Sequence, residues 1–342
     1  MLKIVGDINF SDGYWDTGFG VGSMIKKGLD PFTCVDINSK DFWIGNFECV
    51  CASISNKKSL KSKQFRIEPD VLKNIKHLNL YNVANNHVMQ HGDGAYNQML
   101  TNIKSFGSEY VGSIGKKTHT FSHEGKKVSI LSFCMRPDEF SETPMYWCLP
   151  EYKEIEKEYK EILNVDYKIA YIHWGNEYID HPYIDQVQFA HWLIDLGFDL
   201  IVGMHPHILQ SYEIYKGKYI FYSIGNFVFN MAWEPTKYSI IISVDLINNN
   251  VFFEYVKIGA DYRPICISIV PEKFKMKVLC YSELEKETNE VYYKKVFEGW
   301  KLYRRANHIS IMKNLVKFDK KDISLIFKDF FKRRLISKLK TN

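Results

Sequence analysis

Apolar and polar positions along this chain follow two spacings, one typical of helices and one typical of strands. Helical spacing recurs over residues 69–78, 95–106 and 185–196, and Gly107 and Gly197 end the last two segments. Strand patterns follow over 219–223, 239–246 and 251–258, with three asparagines at 248–250 as a hairpin turn. The alternation predicts an α/β protein in which a sheet-on-sheet core is covered by helices.

Five apolar runs share a further feature, because each ends in polar side chains that an ordinary core strand does not need. The ends carry Asp7; Asn46 and Glu48; Asn85, Asn86 and His87; His173; and His205 and His207. In open α/β sheets, ligands bind outside the carboxyl ends of the strands. We therefore expect these side chains to lie close together.

The residue types at the strand ends indicate metal binding. Pro206 fixes the backbone between His205 and His207, so that both imidazoles can face one small volume. Neutral imidazole suits zinc, iron, manganese or nickel. Each motif alone is equally compatible with a turn, a solvated acid or a core histidine. As an ordered set, they provide the ligands for two metal ions.

The same motifs resemble the CapA family of poly-γ-glutamate capsule synthesis proteins, within the calcineurin-like metallophosphoesterase superfamily. The similarity runs in order through GD at 6–7, NFE at 46–48, ANNH at 84–87, HWGNEY at 173–178, GMHPH at 203–207 and YSIGNFVF at 222–229. It covers roughly residues 1 to 270. The resemblance implies a layered metallophosphoesterase-like fold, with a β-sandwich core flanked by helices, over residues 1–272. We expect residues 273–342 to form a mostly helical extension, basic and amphipathic at its end.

The resemblance also implies roles for the residues at the strand ends. Asp7 and His207 complete the shell of one ion, and Asn86, His173 and His205 complete that of the other. Glu48 bridges the two ions, and His87 is the general acid. Supporting or substrate-binding roles fall to Asn9, Asn46, Asn85, Glu177 and Asn226, with Glu177 fixing the tautomer of His173. Manganese, iron or zinc are the expected ions because three imidazoles take part.

These roles predict a metal-dependent phosphoesterase-type hydrolase, or a related transferase, in the biosynthesis of a capsule or other cell-surface polymer. Its substrate is anionic or contains phosphate. Two departures from the pattern leave an alternative open. Gln90 stands where the family has aspartate, and Asn9 stands where classical metallophosphoesterases have histidine. The alternative is a non-catalytic or weakly catalytic accessory subunit of a membrane-associated polymer assembly complex.

Composition and cysteine content bear on the compartment. The 342 residues are 46% hydrophobic, enough for one large core with a small appendage. The seven cysteines include no CxxC pair, and their odd number argues against a disulfide framework. The chain begins directly with an apolar strand, and no apolar run reaches the length of a membrane span. We expect a cytoplasmic protein, or one peripheral at the inner face of the membrane.

Two basic segments have open interpretations. Residues 53–66 hold four lysines and one arginine and no acid, typical either of a solvated loop or of a lip that attracts an anionic substrate. Residues 317–340 hold nine basic side chains against three aspartates, with Ile323, Ile326, Phe327, Phe330 and Phe331 at helical spacing. This tail has two possible roles. It is an amphipathic helix that binds an anionic membrane or a polymer-synthesis partner, or it is a helix docked on the domain. The lack of any known nucleic-acid-binding module argues against nucleic acid.

Overall fold

The computed structural model describes residues 1–16, 18–318 and 320–328. Its strands, in chain order, are β1 (Leu2–Ile8), β2 (Phe42–Phe47), β3 (Val50–Cys51), β4 (Arg66–Ile67), β5 (Leu80–Asn82), β6 (Glu109–Val111), β7 (Thr118–His123), β8 (Lys126–Cys134), β9 (Tyr167–His173), β10 (Leu200–Met204), β11 (Tyr212–Tyr215), β12 (Lys218–Phe221), β13 (Asn226–Val228), β14 (Tyr238–Asp245), β15 (Asn250–Ile258) and β16 (Pro264–Cys266). The helices are α1 (Val21–Lys26), α2 (Pro69–Lys73), α3 (Asp93–Ser105), α4 (Tyr152–Glu161), α5 (Ile184–Leu196), α6 (Tyr281–Leu284) and α7 (Asn289–Lys313).

Two large sheets carry the architecture. The first has the strand order β16-β15-β14-β1-β2-β5-β6, with β13 beside β1, and the second has the order β11-β12-β10-β9-β8-β7. Strands β1, β2, β5 and β6 run parallel, as do β8, β9, β10 and β12. The carboxyl ends of the parallel strands therefore lie along one edge of each sheet.

The apolar side chains form three layers around these sheets. Leu2, Ile4 and Ile44 from the first sheet pack against Val128 and Ile169 from the second, and together they fill the space between the sheets. A second cluster lies between the outer face of the first sheet and helices α1 to α3. A third lies between the outer face of the second sheet and helices α4 and α5. The layered α/β fold predicted from the sequence, a β-sandwich flanked by helices, is confirmed.

The predicted elements agree with the observed ones except at one helix. The helices predicted over 95–106 and 185–196 are α3 and α5, and Gly107 and Gly197 follow them in left-handed conformations. The helix predicted over 69–78 ends at Lys73. The Asn74 side chain donates to the carbonyl of Asp70, and the Asn74 backbone N–H donates to the carbonyl of Val71 instead of that of Asp70. This local competition for helical acceptors ends α2 early.

The C-terminal part of the described chain is helical and packs on the two-sheet core. Helix α7 is followed by a further helical segment over residues 320–328. Asp322 and Ile326 of that segment are buried, and Asp322 accepts from Lys63 Nζ at 2.8 and 2.9 Å. Phe330 and Phe331 of the predicted amphipathic stripe lie outside the described residues. None of the helices within the described ranges has the length and apolar character needed to cross a bilayer.

Candidate metal centre

The carboxyl edges of the two sheets bring the predicted polar residues together. In the first sheet, Asn226, Asp7, Asn46 and Asn82 are register partners on four adjacent strands, so they form one row. In the second sheet, His173 is the last residue of β9. Asn46 links this row to the second sheet, because its Nδ2 lies 2.7 Å from Asp7 Oδ1 and 3.2 Å from His173 Nδ1.

Glu48 occupies the middle of the cluster. Its side chain is fully buried, and neither carboxylate oxygen has a hydrogen-bond partner. Oε1 lies 3.6 Å from His87 Nε2 and 3.6 Å from His207 Nε2, beyond hydrogen-bonding distance. Buried carboxylates are almost always hydrogen-bonded or bound to a cation. The carboxylate of Glu48 therefore fits a bound cation.

His205 shows the same feature on the other side of the cluster. Its ring is buried, both ring nitrogens lack a partner, and its centroid lies 4.6 Å from that of His173. His205 and His207 both adopt left-handed backbone conformations, with φ of 98° and 61° around Pro206. Their ring centroids are 6.0 Å apart. Non-glycine residues with such strained backbone conformations, like these two histidines, are common in functional sites.

The potential ligand atoms fall into three overlapping groups. In each group the atoms lie within 4.8 Å of one another, and the groups are Asp7, Glu48 and His207; Glu48, His173 and His205; and Glu177, His205 and His207. Glu48 belongs to the first two groups. The described residues thus contain clusters able to hold a metal, and a carboxylate shared between two of them.

Asparagine side chains position these groups through hydrogen bonds. His207 Nδ1 donates to Asn226 Oδ1 at 3.0 Å, which directs Nε2 toward Glu48. Asn85 Nδ2 donates to the carbonyl of Phe47 at 2.9 Å and holds the turn after β5 against the end of β2. Asn86 Oδ1 lies 2.9 Å from His173 Nε2.

The ionisation of the cluster reflects burial and opposing charges. Burial raises the pKa of Glu48 well above its usual range, although the charge of His207 opposes this. Burial alone lowers the pKa of His207, but Glu48, Asp7 and Glu177 outweigh it and raise that pKa to about 10. Burial lowers the pKa of His173 to about 3. The three carboxylates thus act together on the ring of His207.

His87 lies at the mouth of the cluster with its ring held on two sides. The Phe65 ring packs edge-on against it at 4.5 Å, and His87 Nδ1 lies 3.2 Å from Gln90 Oε1. Gln90 donates in turn to Gln64 Oε1 at 3.1 Å. Burial lowers the pKa of His87 to about 4. Nε2 faces Glu48, 3.6 Å from its Oε1.

Two predicted supporting residues have surroundings that the sequence does not indicate. Asn9 Oδ1 accepts from the backbone N–H and the hydroxyl of Ser11, so it stabilises a turn. Glu177, predicted beside His173, lies 3.8 Å from His207 Nε2 instead. Gly175 reverses the chain with φ of 80°, and the Tyr178 N–H donates to the carbonyl of Pro206. These contacts turn Glu177 toward the end of β10.

Sequence reasoning missed three residues near the cluster. Asn82 donates to Asn46 Oδ1 at 2.8 Å and accepts from Ser132 Oγ in the second sheet, which fixes Asn46. Arg136 follows the apolar run of β8, a sixth strand that has a polar side chain just beyond its end. Tyr303 of α7 stacks on Tyr178, and no local pattern predicts such a contact between distant segments.

Comparison with known proteins identifies relatives in capsule synthesis. The PGA biosynthesis protein CapA of Bacillus subtilis is 30% identical over 247 residues, covering 66% of this chain and 63% of that protein. The capsule biosynthesis protein CapA of Bacillus anthracis is 29% identical over 237 residues, covering 62% and 56%. The chain thus spans less than two thirds of the length of either relative. A crystal structure of a phosphatase from Mycoplasma pneumoniae is similar with 14% identity and a TM-score of 0.46, covering 75% of this chain and 92% of that one.

A family match covers the region in which the cluster is built. The family described as bacterial capsule synthesis protein PGA_cap matches residues 1–231, which include every strand that contributes to the cluster. The resemblance inferred from the motifs is confirmed. The chain therefore belongs to the PGA_cap family of bacterial capsule synthesis proteins.

Proposed function

We propose that this chain is a metal-dependent phosphoesterase-type hydrolase, or a related transferase, that acts in the biosynthesis of a capsule or other cell-surface polymer. The observation that carries the proposal is Glu48, a fully buried carboxylate without a hydrogen-bond partner that is shared by two groups of ligand atoms. The names of the relatives support the setting in capsule synthesis.

In this proposal, the residues of the cluster provide ligands for two ions. Asp7 and His207 would hold one ion, Asn86, His173 and His205 would hold the other, and the carboxylate of Glu48 would be available to both. When bound, two such ions polarise the phosphoryl group and stabilise the attacking and leaving oxygens of an in-line displacement. Asn226 and Asn46 hold the ring of His207 and the carboxylate of Asp7 in place.

His87 is the general acid in this proposal. Its side chain is partly exposed at the mouth, whereas His173, His205 and His207 are buried. The packing of Phe65 and the contact with Gln90 leave Nε2 free to protonate a leaving alkoxide. Because burial keeps its pKa low, His87 acquires its proton only when an anionic substrate offsets that burial.

The test of the metal part measures metal content and turnover together. Protein purified without chelators should contain close to two divalent first-row ions, with manganese, iron or zinc preferred over magnesium. It should turn over members of a panel of phosphomonoesters and phosphodiesters. Glu48→Gln and His205→Ala should lose both metal and turnover, whereas His119→Ala, in the distant strand β7, should lose neither. Protein without metal, and without a thermal shift on adding any, would refute the proposal.

One observation favours the alternative, an accessory subunit of a polymer assembly complex. The Oδ1 of Asn9 accepts from Ser11, so it would not be available to the first ion at the position where classical metallophosphoesterases have histidine. A protein that binds metal through Glu48 and His205 but turns over no phosphoester of the panel would support the accessory role.

A further inference from the structure

We infer that Arg136 forms an anion-binding subsite beside the metal centre, so that the substrate carries a second anionic group, a carboxylate or a phosphate, near its phosphoryl group. This inference rests on the proposed function, because the phosphoryl group is assumed to bind at the metals. It specifies the substrate class that the metal centre alone leaves open.

The fold places Arg136 at the edge where the metal ligands meet. Strand β8 pairs in parallel with β9, with Cys134 opposite His173. The next residue, Met135, donates its N–H to the carbonyl of His173 at 2.8 Å. Arg136 therefore leaves the sheet directly beside a predicted metal ligand.

Two cysteines fix the backbone of Arg136. Its carbonyl accepts from Cys134 Sγ at 3.5 Å and from Cys148 Sγ at 3.2 Å, and its N–H donates to Cys134 Sγ at 3.4 Å. Pro137 follows and restricts the chain further. The guanidinium thus extends from a well-anchored backbone.

The side chain of Arg136 is half-buried without an acidic partner. Nη1 donates to Asn176 Oδ1 at 3.4 Å, and Asn176 Nδ2 donates to Tyr292 Oη of α7 at 3.3 Å. Among the residues that the structure describes, no carboxylate lies within ion-pair distance of this guanidinium, although Arg66 and Arg263 each have one. Most of its donors are therefore available to a ligand.

Electrostatics indicate what the ligand is. Arg136 lies close enough to the cluster for its charge to counteract the burial that raises the pKa of Glu177. An arginine beside two divalent ions adds positive charge to a positive site, an arrangement that favours a bound anion. The planar guanidinium matches the two oxygens of a carboxylate or a phosphate.

The experiment uses non-hydrolysable probes, so that it does not depend on turnover. Binding of ethylphosphonate, 2-carboxyethylphosphonate and ethane-1,2-diphosphonate to the metal-containing protein is measured by titration calorimetry. The last two probes carry two anionic groups, whereas ethylphosphonate carries one. We expect the wild type to bind at least one of these two probes about tenfold more tightly than ethylphosphonate, the effect of one charged hydrogen-bonded pair. Which of the two is preferred identifies the second group as carboxylate or phosphate.

The variants separate the effect of the planar guanidinium of Arg136, with its paired N–H donors, from the effect of its charge. Arg136→Gln should lose the preference and keep the affinity for ethylphosphonate, and Arg136→Lys should recover only part of the preference. Arg305→Gln removes the same charge from an exposed position on α7 and should keep the preference. A wild type that binds all three probes equally, or a preference that survives in Arg136→Gln, overturns the inference while leaving the proposed function intact. A protein that binds no phosphonate overturns both.

Discussion

Tyr303 of helix α7 stacks on Tyr178, with ring centroids 4.3 Å apart and planes inclined by 17°. Tyr178 in turn lies over the ring of His207, with centroids 5.9 Å apart. Helix α7 begins at residue 289, beyond the part of the chain that the family matches. The C-terminal extension therefore contributes to the packing around the metal centre through this stack.

Gly299 allows this close approach, and its substitution tests the stack. A Cβ at position 299 would lie 2.2 Å from the carbonyl oxygen of Tyr178, a backbone atom that cannot move independently. We expect Gly299→Ala to lower the free energy of unfolding by about 1–3 kcal/mol, as overpacking does. It should also weaken metal binding, because Tyr178 packs on His207. Denaturant unfolding and metal titration measure the two effects.

Gly94, inside helix α3, is the matched control for Gly299. An added Cβ there would meet only the mobile end of the Ile54 side chain, at 3.2 Å. Gly94→Ala should therefore be neutral or stabilise the protein by up to about 1 kcal/mol through helix propensity. Equal behaviour of the two variants would show that α7 does not constrain the site.

His87→Ala tests the general acid. Because His87 lies beside the ligand groups without belonging to any of them, the variant should keep its metal. Its turnover of a phosphoester should fall by roughly 10²-fold or more, the usual contribution of a general acid. Elemental analysis and steady-state kinetics measure both properties. Unchanged turnover would remove His87 from the mechanism, and loss of metal would make it a ligand.

Gln90 controls the pKa of His87 in a direction that can be tested. The hydrogen bond to Gln90 is the largest influence that opposes the lowering of this pKa by burial. A carboxylate in Gln90→Glu should stabilise the imidazolium and raise the pKa, and Gln90→Met should lower it. An acid must be protonated in the substrate complex, and kcat reports on that complex. The decline of kcat with rising pH should therefore move to higher pH in Gln90→Glu and to lower pH in Gln90→Met.

The matched control for this pH shift removes the titrating ring. In the double variant His87→Ala, Gln90→Glu, the pH profile should coincide with that of His87→Ala. A shift that persists in the double variant would assign the limb of the profile to another group. Identical profiles in Gln90→Glu, Gln90→Met and the wild type would contradict the proposed link between Gln90 and His87.

The sequence predicts features that depend on neighbouring residues, and it fails where distant segments meet. Apolar runs that end in Asp7, His173 or His205 are local patterns, and parallel pairing then places their ends at one edge. The position of Glu177 depends on the reversal at Gly175, and that of Tyr303 on the packing of α7 against the turn after β9. Neither contact has a periodicity or a spacing that a single sequence displays.

The basic tail offers the last prediction, because its described part is packed against the domain. Phe318 lies edge-on against Phe19 at 5.0 Å, Lys63 pairs with the buried Asp322, and Ile326 is buried. Removal of residues 317–342 should expose the apolar surface that Phe318 and Ile326 contact, and the melting temperature should fall by about 2–4 °C for each kcal/mol lost. Metal content should not change, because the ligand groups found among the described residues include none from the tail.

A second variant and a vesicle assay distinguish docking from membrane binding by the tail. Asp322→Asn breaks the pair with Lys63 but keeps the tail, so it should show part of the loss in melting temperature. If the tail also lies on an anionic membrane, the intact protein should sediment with anionic vesicles and not with neutral ones, and less so as salt rises. A truncated protein that melts like the intact one would contradict docking. An intact protein that does not sediment with anionic vesicles would contradict the membrane role. The role of the tail would then be to dock on the domain through the buried Asp322 and Ile326.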